Sequence, residues 1–160
     1  MIHMKVQGLT IDPATNSPIL ILQELTGERT LPIWIGLLEA TAIASELEKV
    51  SFSRPMTHDL ALNLITHMGR KILKVEVTAL KDNTFYALLY LQDDQEVTKV
   101  DSRPSDAIAL ALRADAPILV AEEVLTAAAA SPASGQAKGD KEWKDLLESM
   151  DPEDFGKYKM

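Results

Sequence analysis

The sequence predicts an α+β domain, in which two similar units of three strands and a helix form a mixed, mostly antiparallel sheet packed with helices. Three observations support this prediction. Apolar runs of strand length come in groups of three, and each group is followed by a stretch of helical periodicity. In addition, every residue from Ala107 to Leu112 is Ala, Ile or Leu. A helix that is apolar on all sides belongs in the interior, so we expect this one to lie at the centre of the domain.

The first unit is predicted to contain three strands and two helices. The strands are expected at 1–11, 19–22 and 30–35, with Gly8 as a candidate bulge and Pro32 favouring an edge or a strand end. A helix should run from Gly36 to about residue 49, because its apolar residues form one stripe. Thr57 is a good N-cap for a second helix that ends near Gly69.

The second unit repeats this order. Strands are expected at 71–80, 85–91 and 96–100, with a hairpin turn at 81–84. The apolar helix follows, with Pro104 suited to its first turn, Ser102 or Ser105 as its cap and Arg113 near its negative end. A short strand at 118–120 and one or two helical turns at 122–130 complete the domain.

The helix predicted from Gly36 and the apolar helix of the second unit also resemble each other at their starts. Glu39 is followed by Ala40, as Asp106 is followed by Ala107, at the same place in each first turn. We therefore hypothesise that the two units are related by an approximate two-fold axis, with Glu39 and Asp106 in equivalent positions.

The composition restricts the class of protein. The chain has 160 residues, 46% hydrophobic and 25% charged, which is typical of a folded domain. The absence of Cys excludes disulfides, thiol nucleophiles and Cys-based zinc sites. We expect no membrane partner and a cytoplasmic location, because no apolar stretch has the length of a span or of a signal peptide core. A net charge of −8 counts against sequence-blind binding of duplex nucleic acid.

The domain is predicted to occupy residues 1–125. Residues 126–139 have the composition of a flexible linker, and residues 140–160 are predicted to form a short helix and a tail. The helix would present one apolar face, formed by Trp143, Leu146, Leu147 and Met150.

Two polar segments precede predicted helices and are candidates for chemistry. In the segment 54–59, His58 lies at a helix N-terminus, which favours the neutral imidazole that a general base needs. In the segment 101–106, hydroxyls, carboxylates and a guanidinium surround the start of the buried helix, a suitable place for anion binding. Capping alone would also explain the residue types in the second segment, and a lone histidine is often structural.

Four carboxylates could form a metal site if the fold brings them together: Glu39, Asp59, Asp101 and Asp106. Their hard oxygen ligands would suit Mg²⁺ or Mn²⁺, and two such ions would suit phosphodiester cleavage. No fixed-spacing metal motif is present, so the sequence leaves the cofactor unknown.

Three ordered blocks resemble the bifunctional nuclease domain family. They read LPIWIG at 31–36 with Glu39-Ala40 and Ile43-Ala44 after it, RPMTHDL at 54–60, and DSRPSDAIALA at 101–111. The resemblance covers about residues 1–125. It implies an α+β domain, often dimeric, with nuclease activity on DNA and RNA for some members. The positions carried over from it are Glu39, Arg54, Thr57, His58, Asp59, Arg103, Ser105 and Asp106.

The resulting hypothesis is a nuclease that acts on DNA, RNA or both, with single-stranded or small substrates favoured. The candidate catalytic residues are His58, Asp59, Asp106 and Glu39. In this hypothesis His58 transfers the proton, and Asp59 orients the His58 side chain or binds metal. The candidate phosphate-binding residues are Arg54, Thr57, Arg103 and Ser105. The candidate metal ligands are Asp59, Asp106, Glu39 and Asp101.

The alternative is a non-enzymatic, dimeric binding module for a small anion or a protein partner. A homodimer is expected in either case, because small sheets leave edge strands exposed. The nuclease hypothesis requires residues 57–59 and 103–106 to open onto the same pocket. If Arg54, His58, Arg103 and Asp106 were instead buried in saturated ion pairs with no adjoining cleft, the binding module would be favoured.

Overall fold

The computed structural model describes residues 1–130 and contains one mixed sheet with four helices in that range. The strands are β1 (Ile2–Ile11), β2 (Pro18–Glu24), β3 (Thr30–Trp34), β4 (Lys71–Lys81), β5 (Thr84–Gln92), β6 (Val97–Ser102) and β7 (Ile118–Val120). The helices are α1 (Leu37–Leu47), α2 (Thr57–His67), α3 (Pro104–Ala114) and α4 (Glu122–Ala129). None of these helices is long and apolar enough to cross a membrane.

The strand order agrees with the predicted arrangement of two units. The order is β3-β2-β1-β7-β4-β5-β6, so that the two three-strand meanders flank β7. Only the pairing of β4 with β7 is parallel among these described strands, which confirms a mixed and mostly antiparallel sheet. β3, which contains Pro32, is an edge strand, where the missing N–H of proline is tolerated.

Two local sequence signals are confirmed in the strands. The pairing of β1 with β2 shifts register between Val6 and Gly8, at the predicted bulge. Asp82 and Asn83 join β4 to β5 and both have positive φ, of 51° and 60°. Positive φ at both central residues makes a two-residue hairpin whose twist matches that of the flanking strands.

The apolar helix α3 is central, as predicted. Ala107, Ile108, Ala109, Leu110 and Ala111 are all buried, and the helix packs against α1, α2, β4 and β5. The polar residues of α3 are consequently confined to its two ends. Its first turn contains Asp106 and its last turn contains Arg113. This distribution places charged side chains where neighbouring helices begin and end.

The helix caps differ from the predictions. Arg103 rather than a serine is the N-cap of α3, because Pro104 occupies the first helical position and holds its predecessor extended. Met56 rather than Thr57 is the N-cap of α2, and its backbone N–H donates to Asp59 Oδ2 at 2.9 Å. Gly69, with φ of 76°, follows α2 as predicted.

The structure bears on only part of the predicted C-terminal organisation. The helical turns expected at 122–130 are present as α4, which extends to Ala129 and so includes the first residues of the predicted linker. The rest of that linker, and the short helix and tail predicted at 140–160, lie outside the described residues.

Candidate active site

The first turns of α1, α2 and α3 meet around one cleft of about 500 Å³. Both α1 and α2 pack against α3, so residues far apart in the chain share this space. The polar residues in the lining are Glu39, Thr41, Ser45, Thr57, His58, Arg103, Asp106 and Arg113. The apolar residues in the lining are Leu38, Ala42, Phe52, Met56, Ala61 and Leu110. The two segments that were predicted to share a pocket, 57–59 and 103–106, therefore both contribute to one lining, through Thr57, His58, Arg103 and Asp106.

The central contact in the cleft joins α2 to α3. His58 Nε2 lies 2.9 Å from Asp106 Oδ1, between residues 48 positions apart. Both side chains are mostly buried, with 16% of His58 and 29% of Asp106 exposed. Burial raises the pKa of Asp106, but hydrogen bonds from Arg103 and His58 outweigh it and hold that pKa below its usual value.

An ionised Asp106 determines which nitrogen of His58 carries the proton. Since a carboxylate can only accept hydrogen bonds, Nε2 of His58 must be the donor. In a neutral imidazole, Nδ1 then bears the free lone pair. Nδ1 makes no hydrogen bond with residues 1–130. The arrangement therefore leaves a basic nitrogen on a side chain that lines the cleft.

Arg103 bridges the two carboxylates that were predicted to be equivalent. Its Nε donates to Asp106 Oδ2 and its Nη1 to Glu39 Oε1, both at 2.8 Å. Glu39 and Asp106 are each the third residue of their helix, which agrees with the predicted pseudo-symmetry. The Arg103 side chain is 64% exposed, and two of the five N–H groups of its guanidinium are used in these bonds. The remaining N–H groups are available to an anion in the cleft.

Asp59 has a different partner from the one predicted. Instead of orienting His58, its Oδ1 accepts a hydrogen bond from Arg113 Nε at 2.8 Å. Arg113 is 6% exposed and also donates to the carbonyl oxygens of Ala42 and Ala109, so it joins α1, α2 and α3. From the sequence, Arg113 was expected only to interact favourably with the negative end of the α3 dipole. An arginine on an otherwise buried helix is a signal that could have identified it, because a buried cation requires partners.

Three predicted residues besides Asp59 lie outside the cleft lining. Arg54 is exposed, in the segment between α1 and α2. Ser105 is 6% exposed and faces the interior, so its hydroxyl is not positioned to bind phosphate there. Asp101 is an exposed residue of β6, paired in register with Leu88. Ser105 precedes the cleft residue Asp106 in the first turn of α3, and consecutive residues of a helix point in different directions.

The four carboxylates do not form a metal site in this arrangement. Within residues 1–130, no group of three or more His, Asp and Glu side chains could hold a metal ion. Asp106 is bound to His58 and Arg103, Glu39 to Arg103, and Asp59 to Arg113 and the Met56 N–H, while Asp101 lies outside the cleft lining. These residues therefore do not fit a divalent ion, and the function proposed below contains no metal-dependent step.

The carboxylates of Asp59 and Asp106 should make stability depend on pH. Burial raises the pKa of both, but their hydrogen bonds, mainly to Arg113 and Arg103 respectively, lower it below the usual 3.8. A lowered pKa contributes stability that is complete above the unfolded value and is lost as pH falls through the folded value. We expect the free energy of unfolding, measured in urea, to decrease as pH falls below about 4.

Other carboxylates also titrate in that pH range. The variant Asp106→Asn is therefore needed to isolate the contribution of Asp106 to the pH dependence of stability. The variant should lose less stability between pH 4 and pH 3 than the wild type does. Equal losses in the two proteins would contradict the assignment for Asp106.

Comparison with known proteins agrees with this architecture. The model of the bifunctional nuclease domain matches residues 20–133. An uncharacterised protein of Mycobacterium tuberculosis is 40% identical, over 96% of this chain and 97% of its own length. Bifunctional nuclease 2 of rice and of Arabidopsis thaliana are each 28% identical over 74% of this chain, which corresponds to 38% and 37% of the plant proteins. The chain belongs to the bifunctional nuclease domain family.

Proposed function

We propose that this protein hydrolyses phosphodiester bonds in DNA and RNA, and that it acts on single-stranded or small substrates. The observation that carries the proposal is the hydrogen bond between His58 and Asp106, in a cleft that also contains Arg103. Distant plant relatives named bifunctional nucleases support the class of reaction.

In the proposed reaction, Nδ1 of His58 removes a proton from water. The water oxygen forms a bond to phosphorus while the bond from phosphorus to the leaving oxygen breaks, and the leaving oxygen takes a proton from His58 or from solvent. Asp106 stabilises the imidazolium, as a carboxylate does beside a catalytic histidine. Arg103 binds the non-bridging phosphate oxygens with its remaining N–H groups. Because water is the nucleophile, the reaction requires no 2′-hydroxyl and is compatible with both DNA and RNA.

The cleft favours this enzyme over the non-enzymatic module. One accessible cleft is lined by His58, Arg103 and Asp106. A purely structural network of ion pairs would not require an adjoining cleft. Arg103 also keeps N–H groups that neither Glu39 nor Asp106 uses. An anion could approach these donors from the cleft.

Charge supports the preference for single strands. The net charge of −8 opposes long contact with duplex phosphates. Arg113, the other cation in the cleft, is committed to Asp59 and two backbone carbonyls. Arg103 is therefore the cation of the lining that can bind a substrate phosphate. A single such cation favours a substrate that is bound through few phosphate contacts.

The proposal is tested by chromatography of the purified protein, with cleavage of labelled single-stranded DNA and RNA assayed in every fraction. We expect activity to follow the protein peak through ion-exchange and size-exclusion steps. The control is a mock purification from host cells that lack the protein. Activity that separates from the protein, or equals that of the mock preparation, would contradict an enzymatic function and leave the binding module.

Light scattering on the same size-exclusion run tests the proposed homodimer. Two features support self-association: the edge strands β3 and β6, and the exposed apolar residues Leu60 and Leu64 on α2 with Met68 at its C-cap. We expect a mass of twice 17.6 kDa at micromolar concentration. A monomer mass would contradict the proposed homodimer.

A cytoplasmic location is likewise proposed from the sequence.

A further inference from the structure

The cleft contains an apolar wall that the hydrolytic residues do not require. Its large members are Leu38, Phe52, Met56 and Leu110, which face the same space as His58 and Arg103. Leu38 is 76% exposed at the start of α1 although it lines the cleft. An apolar surface beside a small number of polar groups is typical of a site for a ligand with an apolar part and a charged part.

We propose that this wall binds one unpaired nucleobase, stacked on Phe52, while Arg103 binds the adjacent phosphate. This inference rests on the proposed function and adds how a single nucleotide unit is recognised in the same cleft. A volume of about 500 Å³ is in the range of pockets for small ligands, so it suits one nucleotide and not a paired duplex. Unpaired bases in single strands commonly stack on aromatic side chains.

The polar groups on the wall indicate that the base is bound without sequence selectivity. Thr41 and Ser45 both line the cleft, but each hydroxyl donates to a carbonyl of its own helix, those of Leu37 at 2.8 Å and Ala42 at 3.0 Å. Their protons are therefore not directed at the edge of a base. Recognition that uses stacking instead of edge hydrogen bonds tolerates every base, because each one has a π face.

The test compares the binding of adenosine monophosphate with that of ribose 5-phosphate, which has the same sugar phosphate without the base. Calorimetry or ligand-detected NMR on the full chain measures both affinities. We expect adenosine monophosphate to bind about tenfold more tightly or better, and Phe52→Ala to remove about tenfold of its affinity. Ribose 5-phosphate binding should be insensitive to Phe52→Ala.

Matched variants separate stacking from folding and from phosphate binding. Phe52→Tyr retains an aromatic face and should bind adenosine monophosphate like the wild type. Val50→Ala changes an exposed apolar residue of the same segment outside the cleft lining and should also have no effect. Arg103→Gln should weaken both ligands by similar factors. The four nucleoside monophosphates should differ by less than about tenfold, with purines tighter through their larger stacking area.

The base pocket is overturned if the two ligands bind equally and Phe52→Ala changes neither, or if neither ligand binds. It is also overturned if Phe52→Tyr binds as weakly as Phe52→Ala, because stacking would then not be the contribution of Phe52. These binding results are independent of turnover. Binding that follows the expected pattern without cleavage would overturn the proposed hydrolysis alone, and cleavage without Phe52-dependent binding would overturn the base pocket alone.

Discussion

His58→Ala is expected to reduce nucleolytic kcat/KM by about 10²- to 10⁴-fold, the range attributed to a positioned general acid or base. The substitution removes the nitrogen that would accept the proton of water, and it leaves Asp106 bound to Arg103. The initial rate of cleavage of a labelled single strand, measured at substrate concentrations above and below KM, checks this. We expect kcat to fall more than KM changes, because proton transfer belongs to the transition state.

His67→Ala is the matched control for this variant. His67 is an exposed histidine near the other end of the same helix, hydrogen-bonded to the carbonyl of Asn63 and outside the cleft lining. Its activity should equal that of the wild type. Partial recovery of His58→Ala by added imidazole would distinguish a chemical role from a structural one. Cleavage by His58→Ala at the wild-type rate would refute the mechanism.

Arg113→Met is expected to lower the free energy of unfolding by about 2–3 kcal/mol, which is less than the cost of about 3–5 kcal/mol for breaking a fully buried ion pair. Methionine fills similar space but cannot donate to Asp59 or to the carbonyl oxygens of Ala42 and Ala109. The Asp59 side chain is 36% exposed, so solvent offsets part of the loss. Urea denaturation monitored by circular dichroism measures the change.

Arg70→Met is the control for the loss of an arginine. Arg70 pairs with Asp93 and Glu96 at the surface, and its own side chain is 24% exposed. Its removal should cost about 1 kcal/mol or less, as is usual for surface pairs. If Arg113→Met and Arg70→Met are equally stable, then Arg113 does not hold the three helices together.

The local elements of this fold could be predicted from the sequence because their signals are local. The short strand β7 was predicted at its observed bounds, and Pro104 and Gly69 correctly indicated the start of α3 and the end of α2. The caps were predicted less well. Thr57 has a side chain that is favoured at an N-cap, yet the N-cap of α2 is Met56, one residue earlier. Met56 has an extended backbone, and its N–H donates to Asp59. The hydrogen bond from the Met56 N–H to Asp59 marks this start, and the capping propensity of Thr57 did not determine it.

The candidate site could be predicted in part. Glu39, Thr57, His58, Arg103 and Asp106 were identified from the sequence and do share one cleft. Phe52 and Arg113 were not identified as members of the lining, and Ser105 was expected there but is buried elsewhere. A break between two helices has no periodicity, so nothing in the sequence indicates which of its side chains turns inward.

The sequence by itself determined approximately where each helix lies and which charged residues occupy its first turn, because dihedral preferences and apolar periodicity act within a few neighbouring residues. Only the tertiary structure decided that His58 binds Asp106 instead of Asp59. Consecutive residues on a helix point in different directions, so Asp59 cannot face the side chain of its own neighbour. The packing of α2 against the buried α3 selected a carboxylate 48 residues away.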